Sequence, residues 1–180
     1  MLPSLFISLC TGGQDIPAFI ISIIITGLVG LILLSFKKKV DSSIRLREGL
    51  SIVGLGWIIV SIFGALPLYL SKASCTYIDA LFEITAGFTT TGVSVISEVD
   101  VLPKGILFWR SFTHWIGGMG ILVFTVSLLP ILGVGGFQIF KAESPGPVAG
   151  KVAPRVKDTA KILYIIYITI TVVQILLLLI

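Results

Sequence analysis

Long apolar runs alternate with shorter polar connections along this chain. The runs occupy residues 16–36, 49–70, 105–140 and 162–180. About 20 residues of helix, at 1.5 Å each, cross a hydrocarbon core about 30 Å thick. Three of the runs contain no charged residue, and the third, which is the longest, contains Arg110 and His114. The pattern predicts an all-α polytopic membrane protein.

The composition supports lipid as the solvent. Hydrophobic residues make up 56% of the chain and charged residues 12%, whereas soluble domains carry about 25% charged residues. The two cysteines, Cys10 and Cys75, cannot build a disulfide framework, and no Cys/His cluster suggests a metal site. With one histidine and no plausible pairing of a nucleophile with a base, the sequence does not predict an enzyme.

The charges in the connections predict the orientation. Residues 37–48 and 141–161 each carry a net charge of +3, and residues 71–104 carry −2. Lysine and arginine concentrate on the cytoplasmic side of membrane proteins, so the first two connections are predicted to be cytoplasmic and 71–104 to lie outside. Residues 1–15 also fall outside. They are too short for a span, and we interpret them as the remnant of a helix rather than as a signal peptide, because a basic n-region is missing.

The external connection contains a short helical pattern. Residues 77–88 read YIDALFEITAGF, which is too short to cross the membrane but suits a re-entrant segment. Thr76 followed by Asp79 resembles a capping box and predicts the start of this helix. Its C-terminal end carries partial negative charge, which favours a nearby cation.

Three threonines and a glycine follow this helix directly, at positions 89–92. Consecutive β-branched residues favour an extended chain, and Gly92 permits a positive φ. Such a stretch can present a line of carbonyl oxygens that replace the hydration shell of a cation. TTTGVS is also compatible with an ordinary external loop. Its place after a short helix and between two spans favours a selectivity filter.

Several strings resemble the Trk/Ktr/HKT superfamily of potassium transporters, and within it the bacterial TrkH type. They are ALPLYL (65–70), DALFEITAGFTTTGVSV (79–95), LPKGILFWRSFTHWIGGMGILV (102–123), LPILGVGGFQIFKAESPGP (129–147) and PRVKDTAK (154–161). The resemblance implies four helix–pore-loop–helix repeats around one pore. Family members run to several hundred residues, so this chain would hold one whole repeat and the beginning of a second.

The resemblance also implies a division of the chain. Residues 1–48 would form an N-terminal transmembrane helix and a basic cytoplasmic loop, and 49–140 the first helix–re-entrant pore loop–helix repeat. Residues 141–161 would form a cytoplasmic loop, and 162–180 the start of the second repeat. One further transmembrane helix thus flanks the repeat on each side.

By the same resemblance, backbone carbonyls of the filter would bind potassium, and they belong to Thr90, Thr91, Gly92 and Val93. Glu83 and Thr89 are expected to support the filter. Glu83 can attract cations or accept backbone N–H groups of the filter, and it can equally be a plain hydrogen-bond partner between helices. Arg110 and His114 share one helix face, and we expect packing and anchoring from them rather than a role in the ion path.

The leading interpretation is therefore potassium uptake across the cell membrane through a pore. Two alternatives remain open: a non-conducting scaffold or assembly fragment, and a secondary carrier with an unrelated broken-helix site. The resemblance implies a multi-pass protein of the inner (plasma) membrane, surrounded by lipid and forming a homodimer. It also implies a cytoplasmic nucleotide-binding regulatory subunit (TrkA-like), and no nucleic-acid partner.

Overall fold

The computed structural model describes residues 1–36, 46–128 and 156–179, and these residues are mostly helical. The helices, in chain order, are α1 (Leu2–Thr11), α2 (Ile16–Ser35), α3 (Leu46–Gly64), α4 (Leu66–Leu70), α5 (Tyr77–Phe88), α6 (Lys104–Leu128) and α7 (Val156–Leu178). The predicted all-α class is thus confirmed over the described part of the chain.

Three described stretches are long and apolar enough to cross a membrane: Ile16–Ser35, Ser51–Leu70 and Lys161–Leu178. They coincide with three of the predicted spans. The third predicted span contains α6, which is 25 residues long but is not one of these stretches, since its described side chains include Lys104, Arg110 and His114. The rest of the third predicted span, residues 129–140, lies outside the described residues.

The second span is interrupted near its C-terminal end. Between α3 and α4 the chain makes a turn at Ala65, and Pro67 is in the first turn of α4. Proline has no N–H to donate to the preceding turn, so a helix bends or restarts there. Residues 1–15, interpreted from the sequence as the remnant of a helix, contain the ten-residue helix α1.

The chain divides into two compact units, residues 1–118 and 119–180. The hydrophobic core of the first unit brings together α2, α4, α5 and α6, through Phe19, Ala65, Leu68, Ala80, Ile84, Phe88, Ile106 and Trp109. The Trp109 indole N–H donates to the Gly64 carbonyl over 2.9 Å in this core. Because an apolar core surrounds this hydrogen bond, it fixes α6 against the end of α3.

Candidate functional site

The short helix α5 begins as the sequence predicts. Thr76 has an extended backbone and caps the helix, because its hydroxyl accepts the Asp79 N–H over 3.1 Å. The Asp79 carboxylate in turn accepts the Thr76 N–H, also over 3.1 Å. This reciprocal pair is a capping box, and it satisfies two donors that the first turn would otherwise leave free.

The end of α5 has the hydrogen bonds of a Schellman motif. Thr90 donates its N–H to the Gly87 carbonyl over 3.0 Å, and Thr91 donates to the Ala86 carbonyl over 2.9 Å. The motif requires a left-handed residue after the helix cap, a position that glycine usually fills. Here the left-handed residue is Thr90, with φ +57°. A β-branched residue in this region is strained by roughly 1–2 kcal/mol.

The extended threonine run predicted from the sequence is therefore wrong at its first two positions. Thr89 caps α5 in a helical conformation, and Thr90 is left-handed. The backbone leaves regular structure from Thr91 to Ile96, with Gly92 at φ +76°. A Cβ at Gly92 would meet no atom within 4 Å. The backbone angle, rather than lack of space, is what favours glycine there.

The threonine hydroxyls make local contacts. The Thr89 hydroxyl donates to the Thr85 carbonyl over 2.8 Å and lies 2.8 Å from the Thr91 hydroxyl. The Thr90 hydroxyl donates to the Thr89 carbonyl over 2.7 Å. These contacts engage the side chains with the turn itself.

Glu83 joins α5 to the segment that leaves the loop. Its side chain is buried, and its carboxylate accepts the Ser94 hydroxyl at 3.0 Å from each oxygen. The Val95 N–H also donates to this carboxylate over 3.0 Å. Glu83 therefore fixes the backbone directly after Val93.

Arg110 completes this network from α6. Its Nε donates to Glu83 over 2.7 Å, and a second guanidinium nitrogen contacts both Glu83 and the Ser94 hydroxyl. The arginine thus neutralises a buried carboxylate instead of extending to the membrane surface. His114, one turn further along α6, has its Nδ1 3.0 Å from the Arg110 carbonyl.

Glycines allow α6 to approach the end of α5 closely. A Cβ at Gly87 would lie 2.4 Å from the Thr113 hydroxyl, and a Cβ at Gly117 would lie 2.3 Å from the Phe88 carbonyl oxygen. Glycines such as those of the GGMG string permit close helix approach, but periodicity alone cannot identify the partner as the last residue of α5. The glycines in the sequence thus indicate a close helix contact but do not show which residues make it.

Long apolar helices stand on either side of a short helix that ends in a loop with two positive φ angles. Together these features define a helical membrane protein with a short helix and an irregular loop between two long helices. A family model described as TrkH, cation transport protein, matches residues 15–180. The chain therefore belongs to the TrkH family of cation transport proteins, which are membrane transporters and not enzymes.

Curated relatives carry the same family name. The Trk system potassium uptake protein TrkH of Halomonas elongata is 41% identical over 174 residues, covering 96% of this chain and 36% of that protein. The TrkH protein of Escherichia coli K12 is 46% identical over 137 residues, 75% of this chain and 28% of its own length. The chain thus spans about a third of the length of the relatives it matches.

A solved structure also matches the fold. The crystal structure of the potassium transporter TrkH from Vibrio parahaemolyticus superposes with a TM-score of 0.78 at 32% identity. The match covers 96% of this chain and 34% of the Vibrio chain. The similarity in sequence and the similarity in fold therefore lead to the same family.

Proposed function

We propose that this chain forms part of a potassium-uptake pore whose selectivity filter includes the backbone carbonyls of Thr90, Thr91, Gly92 and Val93. The observation that carries the proposal is the alternation of backbone angles, positive at Thr90, negative at Thr91 and positive at Gly92. Such alternation lets successive carbonyls face one side of the chain, as a carbonyl-lined filter requires. Relatives named as potassium uptake proteins support potassium as the transported ion.

The dimensions of α5 support a re-entrant pore loop. Its 12 residues span about 18 Å, well short of a hydrocarbon core of about 30 Å. Irregular backbone is tolerated at membrane depth where it is buried in protein or lines an aqueous path. Residues 89–95 are exposed in this chain, so their carbonyls remain available to a path that further repeats would complete. The C-terminal end of α5 adds partial negative charge beside them.

Glu83 and Thr89 support the filter in this proposal. Glu83 holds the segment after Val93 through Ser94 and Val95, and its charge is balanced by Arg110. Thr89 caps α5 and contacts Thr91 through its hydroxyl. Neither side chain needs to contact the ion. Their role is to fix the backbone of the loop on either side of residues 90–93 through these hydrogen bonds.

The assembly proposed for the whole protein follows the family. Other helix–pore-loop–helix repeats would close the pore around residues 90–93, two copies would form a homodimer in the inner membrane, and a TrkA-like subunit would bind on the cytoplasmic side. Residues 37–48 and 141–161 would face that side, because they hold the excess of lysine and arginine. Residues 71–104 would lie outside.

The filter is tested by Gly92→Val in the protein as its gene encodes it, expressed in cells that lack other potassium importers. A β-branched residue resists a φ of +76°, so the carbonyls move and discrimination of rubidium from sodium falls. Thr91→Ser is the matched control, since it leaves the main chain unchanged and should alter the ratio less. An unchanged ratio in Gly92→Val at normal membrane abundance would place the filter elsewhere. Absence of uptake by the unmodified protein would favour the non-conducting scaffold.

The orientation is tested by cysteine labelling with an impermeant thiol reagent added outside. Cys10 and Cys75 are both free and exposed, so they are first replaced by serine. Glu98→Cys should then react in intact cells, whereas Lys38→Cys and Lys151→Cys should react after the membrane is opened. Labelling at position 38 in intact cells would reverse the orientation.

A further inference from the structure

One face of α6 contacts both ends of the threonine loop. The entering arm, defined as Gly87–Thr89, precedes the carbonyls of residues 90–93, and the leaving arm, Ser94–Ile96, follows them. Arg110 and Gly117 are seven residues apart on α6. Seven residues are nearly two helical turns, so both residues lie on the same side of the helix. Each contacts a different arm.

Gly117 contacts the entering arm through backbone atoms. A Cβ at this position would lie 2.3 Å from the Phe88 carbonyl oxygen, 2.8 Å from the Phe88 carbonyl carbon and 3.0 Å from the Gly87 oxygen. These atoms belong to the residues just before Thr89. They cannot turn away as a flexible side chain can, so any added atom at 117 moves the chain that enters the loop.

Arg110 contacts the leaving arm through side chains. Its guanidinium is bonded to the Glu83 carboxylate, with one nitrogen 3.3 Å from the Ser94 hydroxyl. Glu83 accepts the Val95 N–H over 3.0 Å. The network is largely withdrawn from solvent, since the Arg110 side chain is 15% exposed and that of Glu83 is 2% exposed. In such surroundings a charge-assisted network holds its members more firmly than at a wet surface.

We propose that Arg110 and Gly117 are positioning residues of the ion path, which set the two ends of the carbonyl loop independently. This inference rests on the proposed filter at residues 90–93. It assigns to α6 a part in ion discrimination that acts through the two arms of the loop. A helix shift along its own axis would move both arms together, whereas a change at either residue would move one arm alone.

The contrast with another glycine separates this role from ordinary packing. A Cβ at Gly64 would lie 3.0 Å from Ile84 and 3.0 Å from the Phe88 ring, which are side-chain atoms. Gly64→Ala therefore crowds the same Phe88 without pressing on its carbonyl. Gly54 has no atom within 4 Å of an added Cβ, so Gly54→Ala controls for the loss of a glycine within a span.

The experiment measures the ratio of rubidium to sodium uptake at matched membrane abundance, in the protein as its gene encodes it and in cells without other potassium importers. Gly117→Ala should lower the ratio roughly fivefold, equivalent to about 1 kcal/mol of lost discrimination. Gly64→Ala should lower abundance and leave the ratio unchanged, and Gly54→Ala should change neither. A normal ratio in Gly117→Ala would overturn the role of Gly117.

Arg110→Lys is the second test variant, and it still tests the positioning proposal if Gly117→Ala does not accumulate in the membrane. Lysine keeps the positive charge near Glu83 but loses the forked donor set that also reaches Ser94, so the ratio should fall while abundance is retained. An unchanged ratio in Arg110→Lys would overturn the role of Arg110. If Gly92→Val alters the ratio while neither α6 variant does, the filter stands and the positioning inference is wrong. If Gly92→Val leaves it unaltered, the filter itself is wrong.

Discussion

Glu83 on α5 and Asp15 at the start of α2 are carboxylates almost fully buried among the described residues, with exposures of 3% and 1%. Their surroundings differ. Glu83 accepts hydrogen bonds from Ser94, Val95 and Arg110. Asp15 accepts one from the Ser8 hydroxyl, and its second oxygen has no hydrogen-bond partner in the described part of the chain.

The neighbours of Asp15 are backbone atoms of two glycines. A Cβ at Gly13 or at Gly105 would lie 2.2 Å from one of its oxygens, so both glycines pack closely against the carboxylate. Gly105 is in the first turn of α6, where free N–H groups favour a negative charge. Asp15 thus joins the N-terminal helices to α6, whereas Glu83 joins three segments around the loop. Burial alone therefore does not distinguish the two carboxylates, whereas the number and placement of their hydrogen-bond donors do.

The largest effect is expected from Glu83→Ala. The change leaves the partly buried Arg110 without its partner and frees the Val95 N–H, which together cost up to about 3–5 kcal/mol of stability. The midpoint of thermal unfolding, followed by size-exclusion chromatography in detergent, should drop strongly. Glu83→Gln keeps an acceptor for the Val95 N–H, so its unfolding midpoint should lie between those of Glu83→Ala and the unmodified protein. Equal stability of the alanine variant and the unmodified protein would mean that the network contributes nothing.

A smaller effect is expected from Ser8→Ala. It removes the hydroxyl that donates to Asp15 and leaves a buried carboxylate without that donor, at about 1–3 kcal/mol. Stability should fall in the same unfolding assay, while the ratio of rubidium to sodium uptake stays constant, because among the described residues Ser8 bonds to Asp15 and makes no hydrogen bond to the loop. A change in ion discrimination at normal abundance would show that the N-terminal helices act on the filter, contrary to this comparison.

The smallest effect on stability is expected from Ser94→Ala. Glu83 keeps Arg110 and the Val95 N–H in this variant, so the loss should be about 1 kcal/mol or less. The uptake ratio should nevertheless shift, because Ser94 begins the leaving arm. Ser8→Ala and Ser94→Ala therefore form a matched pair with opposite expected results: one lowers stability without altering discrimination, and the other alters discrimination with little loss of stability.

Local signals in the sequence predicted much of the architecture. Apolar length located three of the four predicted spans, and Thr76 with Asp79 located the start of α5, because a capping box acts within one turn. Glu83 was recognised as a candidate support, but its pairing with Arg110 was not predicted, since 27 residues separate them and no periodicity connects residues on different helices. The left-handed Thr90 also escaped prediction. Threonine preference favours extended backbone, and the hydrogen bonds at the end of α5 override it.

The threonine at position 90 also determines where the loop can yield. A glycine at position 90 would change readily between backbone conformations, and the loop would then have two flexible positions, 90 and 92. Thr90 is held in the left-handed region by the hydrogen bonds at the end of α5, against the preference of its branched side chain. Gly92 is therefore the most flexible backbone position between the cap of α5 and Val93. In a filter built on this loop, the backbone torsions of Gly92 would change to fit a cation of different radius. The carbonyl of Gly92 would therefore move, while those of its neighbours stay in place.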